Sequence, residues 1–130
     1  MPVEVHIVTP EVEVWSGDAD LVVAHGTDGD VGIMAGHAPL LIRLAVGPLK
    51  VNGSDGTTTM FAIDGGFMHV ATHDGVSRID VLADHAIAAS DIDVAAEQAR
   101  LEAASAAAKD GDEDALRAVR RAESRLALTG

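Results

Sequence analysis

Residues 29–41, GDVGIMAGHAPLL, set three glycines, one imidazole and one proline directly ahead of an apolar run. Gly29, Gly32 and Gly36 mark points where the backbone needs positive φ or close approach, and Pro39 fixes φ before Leu40, Leu41 and Ile42 resume a strand-like pattern. The order predicts a shaped loop projecting from a β-sheet. Asp30 and His37 are expected on or beside that loop, where polar side chains meet a partner or solvent.

Outward from this stretch, residues 3–89 read as a succession of short strands: VEVHIVT at 3–9, DLVVAH at 20–25, PLLIRLAV at 39–46, TTTMFAI at 57–63 and VSRIDVLA at 76–83. Val3, Val5 and Ile7 alternate with Glu4 and His6, as a half-buried strand requires. In the last strand Val76, Ile79 and Val81 are expected to supply apolar contacts beside Arg78 and Asp80. Turn signals at Gly17-Asp18, Asp28-Gly29, Gly47-Pro48, Asn52-Gly53, Asp55-Gly56, Gly65-Gly66 and Asp74-Gly75 are spaced as in a sandwich or barrel.

From Ser90 the period changes. Asp91 or Asp93 offers an N-cap to an alanine-rich helix ending near Lys109, and DGDED at 110–114 breaks it and starts a second helix. That helix carries acids at its start and Arg117, Arg120, Arg121 and Arg125 toward its end, which suits the macrodipole. Arg117, Arg121 and Arg125 lie on one helical stripe, which reads most simply as a solvated face. The predicted fold is an all-β sandwich over residues 1–89 followed by an α-helical hairpin over residues 90–130. The hairpin's apolar residues are small or sparse, so weak attachment is expected.

The chain has 130 residues, 48% hydrophobic content, no cysteine and a formal net charge of −12. Residues 1–89 hold 12 acids against 3 bases, and residues 90–130 hold 9 against 6. Such acidity argues against nucleic acid as the partner, because a binder needs cations to displace counterions from phosphates. Without cysteine there are no disulfides and no thiolate metal sites. The early acids Glu4, Glu11, Glu13, Asp18 and Asp20 do not fit a signal peptide, and no apolar run is long enough to span a bilayer.

Chemistry by this chain alone has little support in the sequence. No Walker motif occurs, and the glycine spacing is not that of a dinucleotide fold. Asp110, Asp112 and Asp114 resemble the start of a calcium loop, but Ala115 stands where the glycine belongs and Arg121 where the bidentate glutamate belongs. A small metal-dependent β-sandwich enzyme is the alternative reading, with ligands drawn from His6, His25, His69, His73 and His85.

GDVGIMAGHAPLL resembles the signature segment of the epsilon subunit of bacterial F-type ATP synthases. Asp30 stands for the usual glutamate, Met34 and Ala35 replace a hydrophobic residue and a frequent proline, and Gly36-His37-Ala38-Pro39-Leu40-Leu41 is intact. Val8-Thr9-Pro10-Glu11, Trp15-Ser16-Gly17, Gly65-Gly66-Phe67 and Val81-Leu82-Ala83-Asp84 follow the family pattern in order, so the resemblance covers about residues 3–95.

The resemblance implies a β-sandwich followed by two mobile helices in a non-catalytic subunit of the central stalk, without cofactor or metal. It implies the gamma subunit, the c-ring and the beta subunits as partners, at the cytoplasmic face of the bacterial cell membrane, held there peripherally through the complex. By the same resemblance Asp30 and His37 meet the c-ring, while Arg117, Arg120, Arg121 and Arg125 approach the catalytic head and oppose ATP hydrolysis. Some members bind ATP through an Ile/Leu-Asp-x-x-Arg-Ala motif. Ile92 and Asp93 match its start, but Ala96 replaces the arginine and Glu97 the alanine, so nucleotide binding is expected to be weak or absent.

Overall fold

The computed structural model describes residues 2–129. Seven strands precede two helices: β1 Val3–Val8, β2 Glu13–Gly26, β3 Gly29–Ile33, β4 Leu40–Gly53, β5 Thr58–His73, β6 Val76–Ala83, β7 Ala86–Ala88, α1 Val94–Ala108 and α2 Glu113–Ala127. The sheet order is β1-β6-β5-β4-β2-β3, and β1 also pairs with β2, so the sandwich closes on itself. β1 lies parallel to β6 and antiparallel to β2. Its alternation places Val3, Val5 and Ile7 wholly inside, against Val22, Ile33, Leu49, Phe61, Met68, Val70, Ile79 and Val81. Each such side chain contributes roughly 1.5–3 kcal/mol by leaving water.

Three of the expected turns are instead interior to long strands. Gly17-Asp18 lies within β2 and pairs with β1, and Trp15 folds back over Gly17, where a Cβ would sit 2.8 Å from the indole. Gly47-Pro48 lies within β4 at a register shift against β2, where the ladder does not need the missing proline N–H. Gly65-Gly66 lies within β5 at φ values of 107° and 130°, and a Cβ on Gly66 would stand 2.2 Å from the Leu82 carbonyl. Glycine here bends a strand without ending it. In β6 the buried set is Ser77, Ile79, Val81 and Ala83, so Val76 falls on the opposite face and is exposed.

The helices begin where the side chains can cap them. Asp93 accepts a hydrogen bond from the Ala96 N–H and Asp112 from the Asp114 N–H. Gly111 turns the chain between them at φ 78°. The hairpin lies on β4 and β5 through α2, yet among the described residues its buried apolar side chains are only Ala115 and Ala122. Charge supplies the rest of the attachment. Arg125 donates to Asp64 of β5 and, at 3.2 Å, to Glu97 of α1, which also accepts from Arg100. The Asp64 and Glu97 side chains are only 1% and 3% exposed. The hairpin is thus attached by a buried ionic bridge more than by apolar area.

Burial pushes the Asp64 carboxyl above the ordinary aspartate range, against the pull of Arg125, Arg121 and His85. A raised folded-state pKa adds stability below the ordinary value, and that increment is lost as pH rises through the raised value.

Gly66→Ala is expected to destabilise the sandwich by at least about 2 kcal/mol in urea unfolding, because it adds a backbone clash to a strained φ. Gly111→Ala meets open space and should cost only about 1 kcal/mol. Arg125→Gln leaves the buried Asp64 without its cation while Glu97 keeps Arg100, so hairpin docking should weaken by about 3 kcal/mol in a dye-pair distance assay between α2 and the sheet. Asp64→Asn should cost less, since Arg125 keeps Glu97, and should abolish the loss of docking as pH rises through the Asp64 transition.

Candidate functional site

The GDVGIMAGHAPLL segment divides in two. Residues Gly29–Ile33 form β3, an edge strand paired with the end of β2, and only residues 34–39 are loop. Asp30 is therefore a strand residue, opposite His25 in register. His25 Nδ1 and Asp30 Oδ1 are 2.6 Å apart, and both side chains are substantially exposed. Gly47 makes room for the pair. A Cβ there would lie 2.7 Å from the imidazole Cδ2, so glycine lets the His25 ring rest against β4 with one nitrogen directed at Asp30. Sequence reasoning treated His25 only as a metal candidate. The two-residue turn at Thr27-Asp28, bringing positions 25 and 30 opposite each other, was the available signal.

The remaining loop is tied down from a distance. Gly36, at φ 83°, donates its N–H to the buried Ser77 hydroxyl at 2.8 Å, and the His37 N–H reaches the Met34 carbonyl. The His37 Nδ1 lies 2.7 Å from the carbonyl oxygen of Ala38, which orients the half-buried imidazole. Met34 is 61% exposed and Leu41 is 66% exposed. Asp30 and His37 thus stand on separate supports, Asp30 on β3 and His37 on a loop bonded to β6. No direct bond joins them among the described residues.

The arginines of α2 do not form a uniform solvated stripe. Arg121 and Arg125 turn toward a cavity of about 730 Å³ between the helices and the sandwich, also lined by Asp64, His85, Glu97 and Arg100. Arg117 and Arg120 line a separate groove of about 690 Å³ against β4 and β5. Arg125 is engaged by carboxylates while the hairpin is docked, leaving Arg117 and Arg120 as the exposed cations of the set. The helical drift over eight residues and the reach of Asp64 decide this division, and neither is visible in the stripe alone.

Ile92 and Asp93 precede α1, where the Asp93 carboxylate is occupied as the N-cap. Glu97, in place of the family alanine, is buried in the Arg125 bridge.

The histidines proposed for a metal are dispersed. His6 lies between Glu4 at 2.7 Å and Glu13 at 2.9 Å, and these bonds raise its pKa above the ordinary value. His69 faces Asp80 across the ladder and His73 ends β5. Among the described residues no group of three or more His, Asp or Glu side chains is arranged to hold a metal ion. Nor is any described helix long and apolar enough to cross a membrane.

Residues 2–89 match the family described as ATP synthase, Delta/Epsilon chain, beta-sandwich domain. The chain is 41% identical to the ATP synthase epsilon chain of Streptomyces coelicolor over 128 residues, covering 97% of this chain and 95% of that one. It is 54% identical to the epsilon chain of Frankia casuarinae over 77 residues, covering 59% and 89%. The fold is similar to a chain in the mitochondrial ATP synthase of Euglena gracilis, with a TM-score of 0.84 at 22% identity, over 99% of this chain and 82% of that one. A second likeness, at TM-score 0.51 and 23% identity over 70% and 69%, is to a chain of the Tetrahymena thermophila central stalk and c-ring assembly. With the sandwich matched throughout and the helical hairpin included in the full-length alignment, the chain belongs to the ATP synthase epsilon family, as a subunit that is not catalytic.

Proposed function

We propose that the chain works in the central stalk, with the sandwich over residues 1–89 joining the gamma subunit to the c-ring and the hairpin over residues 90–130 restraining ATP hydrolysis at the beta subunits. The observation that carries this reading is the alignment with a full-length epsilon chain across 97% of the sequence, sandwich and hairpin together. Coupling needs a rigid body between rotor elements, and a closed sheet supplies one. Assembly on the stalk holds the chain peripherally at the cytoplasmic face of the bacterial membrane.

Asp30 and His37 are assigned to the c-ring contact. The exposed Met34 and Leu41 supply apolar area, and the two polar groups supply register. The His25–Asp30 bond holds the carboxylate in place, which compensates for a side chain one methylene shorter than glutamate. The inhibitory contact is assigned to Arg117, Arg120, Arg121 and Arg125 after release of α2. Release must then break the bridge to Asp64 and Glu97, so the strength of that bridge sets how readily the hairpin inhibits.

Reconstitution with the gamma subunit should yield a stable complex on size-exclusion chromatography, and failure to associate would overturn the stalk assignment. In the assembled enzyme, Asp30→Lys is expected to weaken coupling of ion flow to ATP synthesis severalfold, while Asp30→Asn, which can still bond His25, should have a smaller effect. Deletion of residues 112–130 is expected to raise ATP hydrolysis, and an unchanged rate would remove the hairpin from the account of inhibition.

A further inference from the structure

Five charged side chains form an alternating row across the outer face of the sheet. From β6 through β1 to β2 the order is Asp80, Arg78, Glu4, His6 and Glu13. Arg78 donates to both Asp80 oxygens and stands 3.9 Å from Glu4. His6 comes next, with Nε2 2.7 Å from Glu4 and Nδ1 2.9 Å from Glu13. A neutral imidazole has one N–H and one lone pair, so it satisfies one of these carboxylates and turns the lone pair against the other. Only the imidazolium donates to both. The row then places two cations between three carboxylates, and His6 is the member whose charge changes near neutral pH.

We propose that His6 is a proton-operated clasp: as an imidazolium it fastens the turn between β1 and β2, and on losing its proton it releases Glu13 and that turn. The two bonds are unequal. Glu4 is on the same strand and its bond is the shorter, so a neutral His6 keeps its remaining N–H on Glu4 and turns the lone pair to Glu13. Glu13 begins β2, is half exposed, and has no other ion-pair partner among the described residues. Here the β1–β2 register shifts, between Ile7 and Val8, and the turn itself is closed by the Thr9 N–H and hydroxyl on the Val12 carbonyl. The wholly buried Val3, Val5 and Ile7 keep the rest of β1 in place, so release is confined to residues 8–13.

The surroundings hold the proton on. In register, Asp18 of β2 lies opposite Glu4, Asp80 of β6 opposite His6, and His69 of β5 opposite Asp80, with Arg78 as the opposing cation. The bonds to Glu4 and then Glu13 raise the His6 pKa, against partial desolvation and Arg78. The clasp is therefore complete below the ordinary histidine value and is lost as pH rises through the raised one. Its side chains are partly exposed, so added salt screens them and narrows that window. Val8, Thr9 and Pro10 form one wall of a cleft of about 320 Å³ whose other wall is Leu82, Ala83 and Asp84, so the proton also sets the shape of that cleft.

The test is NMR of the full chain across the histidine range, following the His6 ring resonances and the protection of the Thr9 amide, corrected for the intrinsic pH dependence of exchange. His6 should titrate above the ordinary histidine value, and Thr9 protection should fall severalfold through the same transition. Glu13→Gln, which keeps an acceptor but removes the charge, should move the His6 transition down. His6→Gln should leave Thr9 protection low and independent of pH, with circular dichroism verifying that the sandwich is folded. A His6 transition at or below the ordinary value, an unchanged transition in Glu13→Gln, or Thr9 protection that stays constant in the unsubstituted chain or still falls in His6→Gln would each overturn the proposal.

Discussion

Everything in the sandwich depends on β1 pairing at both of its edges. A strand bonded to β6 on one side and β2 on the other converts a six-strand order with two open ends into a closed wall, so its three inward residues see apolar neighbours on every side. A one-residue slip would turn Glu4 and His6 inward, and closure would fail. The outward face has its own lock, since His6 bonds Glu4 within the strand and Glu13 on β2. Closure also leaves β3 outside the ring, as an edge strand beside β2 alone. That is why Asp30 is presented to solvent when the strand containing it is otherwise short and well paired.

Once closed, the sheet must bend, and the long β4–β5 hairpin does the bending at Gly47-Pro48 and Gly65-Gly66. Both sites have consequences outside the sheet. Gly47 admits the His25 ring and so positions Asp30. The bend at Gly65-Gly66 follows Asp64, and the Asp84 N–H bonds the Gly65 carbonyl while the Asp64 N–H bonds that of His85. These contacts fix the backbone on either side of a buried carboxylate that must meet Arg125. One pair of glycines thus shapes the strand and sets the point at which the helices attach.

Much of this was legible from residues. Alternation found β1 and β6, the change of period at Ser90 found the hairpin, and Asp93 and Asp112 cap helices where their side-chain chemistry allows. The interior glycines misled because a Gly-Pro or Gly-Gly pair reads as a turn unless the partner strand is known; only the ladder shows that β4 and β5 continue through them. Val76 misled for a related reason, since Ser77 takes the inward position to bond Gly36, and a serine in a core phase has no sequence signature. The ionic bridge was beyond reach. Asp64, Glu97 and Arg125 are separated by long stretches of chain, and nothing local distinguishes the carboxylate-bound Arg125 from the exposed Arg120 and Arg117 on the same helix.

The two halves of the molecule are consequently held by different forces. The sandwich rests on apolar area, which responds weakly to pH and is strengthened rather than weakened by many salts. The hairpin rests on a few alanines and a bridge of opposite charges whose desolvation cost nearly offsets their attraction. A small net stabilisation built from large opposed terms is sensitive to anything that changes one term alone: a proton on Asp64 or a competing acidic partner for Arg125. Replacing the bridge with leucines of similar volume would attach the helices more firmly and remove that sensitivity. The charged solution keeps the attachment of α2 responsive to such changes, while the closed wall beneath it is not.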